Sequence, residues 1–204
     1  SDVSFALPGT WYRIPVQNEK ASLSAIRSFA DDHIGKGDEL ATLRREMRTQ
    51  LATAASEARL VGGQHMFIAT DLVPGTPAGI TLTTYIPNIP RPLSASISIQ
   101  LAAESIASQL QNPAGTSDID TWDGERVSVV REQRSVFHTN QDGEQAESLR
   151  VDYWLLREVD PDPLLLSFSA PVYVDDMRDA LAELLDAIVS TCDWQEIELS
   201  DESH

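Results

Sequence analysis

Four carboxylates near the end of the chain form the clearest pattern with a chemical meaning. Asp175, Asp179, Glu183 and Asp186 recur at steps of four, four and three residues, which places them along one side of an α-helix. Like charges at this spacing destabilise a helix by about 0.2–0.5 kcal/mol per pair. The positive end of the helix dipole offsets part of that for Asp175, Asp176 and Asp179, whereas Asp186 and Asp193 lie towards the wrong end. Three uses fit such a row. It is a solvated face, the commonest role of a charge run; a docking face for a basic protein partner, through complementary charge; or one half of a pairing with Arg44, Arg45 and Arg48, in the same chain or a dimer mate.

The other chemistry-bearing residues form no linear motif. Asp118, Asp120 and Asp123 with Gly124 superficially resemble a calcium loop. However, Trp122 takes a ligand position, the glycine comes one place late, and the closing glutamate is absent. Asp123-Gly124 reads better as a hairpin turn, leaving the three carboxylates as at most a weak cation site. His33, His65, His138 and His204 lack metal-ligand spacing. Cys192, the single cysteine, excludes an intramolecular disulfide and any Cys-rich metal site. Its place at the end of an apolar stripe reads as core rather than nucleophile. Gly62-Gly63 and Gly75 belong to no phosphate-binding pattern. Leu7-Pro8-Gly9-Thr10 mimics a sorting signal only by coincidence, because Trp11 follows. An enzyme or a small-molecule or cation site would have to assemble from scattered residues such as Asp71, His138 and Asp152. No catalytic residue, cofactor or metal is assigned.

Charge narrows the partners. The chain has 204 residues, with 15 Lys and Arg against 32 Asp and Glu, a net of −17. Residues 1–60 hold eight bases and eight acids, so the whole excess lies beyond Leu60, where seven bases meet 24 acids. This balance argues against nucleic acid, since phosphate binding needs cationic side chains, and against anionic membranes for the same reason. No run approaches the length of a membrane span. The first ten residues lack the pattern of a signal peptide, so a cytoplasmic location is the default expectation, with prior removal of a targeting segment left open.

These residues must be positioned by elements legible in the pattern. The sequence predicts a strand over 11–16, an edge or strand end because of Pro15, and a short helix over Ser22–Ala30. A long helix follows, capped by Asp38 and stopped by Gly62-Gly63. Strands are expected over 65–72 and 79–86, the second with Ile80, Leu82, Thr84 and Ile86 on one face. A helix over 97–110 buries Ile99, Ala103, Ile106 and Leu110. Strands over 118–122, 126–138, 148–159 and 164–170 are joined by short polar turns, which favours antiparallel pairing. A closing helix over 174–192 buries Met177, Leu181, Leu184, Ile188 and Cys192, leaving the four carboxylates opposite. No linker divides the chain, so residues 1–204 read as a single α+β domain, a mostly antiparallel sheet packed against helices, with an acidic tail over 195–204.

The order and the ending resemble the PsbP-like α/β/α sandwich superfamily, especially actinobacterial members. The likeness lies in Leu164-Leu165-Leu166-Ser167-Phe168-Ser169-Ala170-Pro171, in Ala182 to Thr191 and in Trp194, and more loosely in Leu7-Pro8-Gly9-Thr10-Trp11. It covers about a third of the chain and includes nothing catalytic. The resemblance implies a non-enzymatic accessory or adaptor protein.

Overall fold

The computed structural model describes residues 2–71, 79–87, 98–111, 116–124, 126–139, 143, 145–158, 163–173 and 177–195. Its elements run β1 (Asp2–Ser4), β2 (Thr10–Pro15), α1 (Glu19–Ile34), a 3-10 turn (Asp38–Leu40), α2 (Ala41–Leu60), β3 (Gly63–Asp71), β4 (Thr81–Tyr85) and α3 (Ile99–Leu110). There follow β5 (Ser117–Asp123), β6 (Val127–Thr139), β7 (Gln145–Arg157), β8 (Leu164–Val172), α4 (Met177–Ser190) and β9 (Asp193–Gln195). Strands β2 to β8 form one antiparallel sheet in the order β2-β3-β4-β8-β7-β6-β5, and β1 pairs with β9 beside it. This is the expected α+β architecture.

Helices cover both faces of the sheet. On one face α4 packs over Leu82, Leu149, Val151, Tyr153, Leu155, Leu166 and Phe168, all buried. On the other, α1 and α2 cover Ile14, Met66 and Ile68 at the β2–β3 end. On that same face α3 covers Val130 and Leu156 near the β5 end, using Ile99, Ala103, Ile106 and Leu110 as expected. Alternation along the strands sorts the two sets of side chains, because successive residues point to opposite faces.

Several local expectations shift. Helix α1 is longer than Ser22–Ala30, starting where Asn18 accepts a bond from the Ala21 N–H and running to Ile34. Asp38 does not cap α2; it opens the 3-10 turn and makes no capping bond. Arg44 braces that connection by donating to the carbonyls of Gly35 and Gly37 at 2.5 and 2.7 Å. Helix α2 stops at Gly62, whose φ of +88° lies in the left-handed region, next to Gly63, where a Cβ would meet the Ala58 carbonyl oxygen at 2.7 Å. Pro15 lies on edge strand β2, as predicted. Pro171 does not end β8, which runs on to Val172. It is tolerated there because pairing with β4 stops at Ser169. The turns at 74–77 and 112–115 lie outside the described residues, as does the tail apart from Gln195 in β9.

Candidate acidic cleft

Helix α4 is turned relative to its expected face. Its buried residues are Ala182, Leu185, Ile188 and Val189, with Leu181, Leu184 and Cys192 half-buried at the margin. At 100° per residue the buried face is rotated roughly 60° from the stripe read in the sequence. The carboxylates therefore occupy a flank of the helix rather than its outer side. That flank looks at the edge of the sheet. Asp179, Glu183 and Asp186 line an open cleft of about 480 Å³ with Asp118 and Asp120 of β5 and Arg131 and Gln133 of β6. Asp175 lies outside the described residues.

One guanidinium stands among five carboxylates and pairs with two of them. Arg131 donates to Asp186 at 2.6 Å and to Asp120, and stands 5.9 Å from the centre of the Trp122 ring. Burial pushes its pKa down, but the bond to Asp120 and the charges of Asp186 and Asp120 outweigh that and hold it above the usual value. Tyr153, fully buried beneath, donates its hydroxyl to Asp186 at 2.6 Å. Burial, the Asp186 bond and the Asp186 charge all raise the Tyr153 pKa against the opposing pull of Arg131, so the phenol stays protonated and acts as a donor. Asp186 is thus committed to the fold. Asp118, Asp179 and Glu183 are exposed, and Asp120 remains half-exposed beside Arg131. At the start of α4, Arg178 reaches Glu147 of β7 at 2.5 Å. The Ser135 hydroxyl and Arg178 together hold the Glu147 carboxyl below the usual range, with burial opposing.

A second charged region occupies the opposite face of the same strands, between the α1–α2 pair and α3. Pairing sets Thr83, Ser167, Asp152 and Glu132 side by side across β4, β8, β7 and β6, and all four are buried. Asp152 accepts from Ser167, from Arg134 at 3.0 Å and from Arg150 at 3.4 Å. Arg134 also meets Glu132 at 2.6 Å, and Ser117 donates to Glu132 at 2.9 Å. Burial pushes the neighbouring Tyr85 phenol up, while its bond with Thr83 and the Arg150 charge pull it down.

The remaining candidates separate. Asp71 and His138 lie on β3 and β6, four strand spacings or roughly 19 Å apart. The position opposite His138 is Ala146, six residues along β7 from Asp152, or roughly 20 Å. The three do not meet. Asp118 and Asp120 share the cleft, but Asp123 points to the other face, where it accepts from Ser128 at 2.6 Å within the expected hairpin. The three carboxylates do not converge, and among the described residues no group of His, Cys, Asp and Glu is arranged to hold a metal. Arg44 and Arg48 do not pair with α4; both meet Asp31 of α1. His33 stacks on Phe29, and His65 bonds Arg13. Cys192 is half-buried, and burial pushes its thiol up to about 11, as suits a packing residue.

Sequence reasoning missed Arg131 and the contribution of β5. The alternation of Asp118 and Asp120 was a usable signal, since it puts both on one face of a strand. Compared with protein-family models, curated proteins and solved structures, the chain finds no match in any of the three. No helix among the described residues is long and apolar enough to cross a membrane.

Proposed function

We propose that this protein is a non-enzymatic accessory or adaptor, whose cleft between α4 and β5 binds a basic protein partner. The observation that carries this reading is the charge imbalance, five carboxylates around Arg131 alone. Asp118, Asp179 and Glu183 project there without an ion pair among the described residues. Unneutralised carboxylates on low-dielectric walls focus a negative potential that attracts cationic segments and speeds their encounter. The likeness to PsbP-like proteins supports the accessory role, in which binding rather than turnover is the activity.

The test uses octalysine as a stand-in for a basic segment, titrated calorimetrically at low and high salt. Asp179→Asn combined with Glu183→Gln is expected to weaken binding and flatten its salt dependence. The control is Asp32→Asn with Glu46→Gln, exposed carboxylates on α1 and α2. If both double variants lose the same affinity, the attraction is a property of overall charge, and the cleft is a solvated face.

A further inference from the structure

We propose that the outer edge of β5 accepts an extended segment of the partner, which adds a strand to the sheet and carries Lys or Arg at alternate positions. This rests on the cleft reading above and specifies how the partner engages it. Strand β5 ends the sheet, pairing with β6 over its whole length from Ser117 to Asp123. Among the described residues no strand pairs with its other edge. That edge presents backbone donors and acceptors, the template on which strand addition builds.

The side chains of β5 state what the added strand must carry. Asp118, Asp120 and Trp122 alternate on the face that α4 covers, Trp122 meeting Tyr153 edge-on, while Ile119 packs towards α3 on the other. In a neighbouring strand every second residue would stand beside Asp118, Asp120 and Trp122, where cross-strand pairs interact directly. Beyond them lie Asp179 and Glu183. Cations at those positions meet carboxylates at two of the three β5 positions. Trp122, 41% exposed and already flanked by Arg131, offers a ring for the third through cation–π attraction. The same residues disfavour a second copy of this chain, because edge-to-edge pairing of two β5 strands would set at least one aspartate against another. The edge is therefore guarded against itself and open to a basic strand.

The experiment compares three peptides of equal charge on the wild-type protein, measuring affinity by calorimetry and β5 amide protection by hydrogen exchange. One is a Thr-Lys repeat, one has the same residues with all lysines in a block, and one is the repeat with N-methyl groups on alternate amides, made in both registers. Strand addition predicts that the repeat binds about tenfold more tightly than the block peptide. It also predicts slowed exchange on β5, and loss of both gains in one N-methyl register. If all peptides bind alike and are weakened alike by Asp179→Asn with Glu183→Gln, edge addition is overturned and the acidic cleft stands. If none binds even at low salt, both readings fall together.

Discussion

Charged side chains occupy both faces of β6, and the two faces treat them in opposite ways. On the face shared with α3, Glu132 and Arg134 join Asp152 and Arg150 of β7 in a balanced group of two acids and two bases. Glu132 and Asp152 are less than 10% exposed and fully engaged. On the face shared with α4, Arg131 stands among five carboxylates, most of them solvated. Burial explains the difference. A charge taken out of water must be matched, since leaving it unmatched costs several kcal/mol. A charge at a solvated edge needs no partner, so an excess of one sign persists there. The balanced group belongs to the fold, whereas Asp118, Asp179 and Glu183 of the unbalanced one have no ion pair among the described residues.

The largest expected effect lies on the balanced side. Asp152→Ala should destabilise by about 2–3 kcal/mol in urea unfolding, because it leaves Arg134 with Glu132 alone, releases the partly solvated Arg150 and takes the acceptor from the Ser167 hydroxyl. A change below about 1 kcal/mol would mean that water already serves these groups, and the contrast between the two faces would collapse. Removing Asp118, exposed at the cleft mouth, should leave the same measurement nearly unchanged.

Why one region was readable and the other only in part follows from the range of the contacts. Helical spacing grouped Asp179, Glu183 and Asp186 correctly, because that grouping depends only on local geometry. Their orientation depended on which residues of α4 pack. Large Leu184 drew the stripe towards itself, whereas small Ala182 and Val189 turned out to share the buried centre with Leu185. Similarly, alternation along β7 puts Arg150 and Asp152 on the face opposite Leu149 and Val151. Their meeting with Arg134, Glu132 and Ser167 required the registers of three strands, which no single segment contains. Period-2 polar positions on adjacent interior strands were the available signal for that buried row.

Within the cleft itself the comparison sharpens to two aspartates on one helix. Asp186 takes the Tyr153 hydroxyl and the Arg131 guanidinium, each at 2.6 Å, while Asp179 is exposed and takes neither. Asp186→Asn keeps an acceptor for Tyr153 but removes the charge opposite Arg131, and should lower stability by about 1–2 kcal/mol. Asp179→Asn relieves repulsion with Glu183 but gives up a carboxylate in the first turn of α4, where the helix dipole favours it, so its net effect should stay within about 0.5 kcal/mol of zero. Thermal unfolding of the two variants decides the matter. Equal effects of either sign would show that the helix flank is uniform and that Asp186 is no more structural than its neighbour.

The smallest expected effect concerns acid. Glu147 joins β7 to the first turn of α4 through Arg178 and also accepts from Ser135 at 2.5 Å. These bonds depress its folded-state pKa below the ordinary value of 4.5. A depressed carboxylate pKa stabilises the folded form above the unfolded-state value, and that contribution disappears as pH falls through the folded one. The unfolded chain takes up its proton first, so the loss begins near 4.5 and completes lower. Glu147→Gln cannot ionise and lacks this dependence. Melting temperatures of the two proteins should therefore differ at neutral pH by a constant amount, then converge below about pH 4.5. A gap that persists unchanged through the acid limb would assign it to packing by the side chain. The ion pair with Arg178 would then hold neither α4 nor the cleft flank in place, and the acid sensitivity of this end of the helix would have to come from another carboxylate.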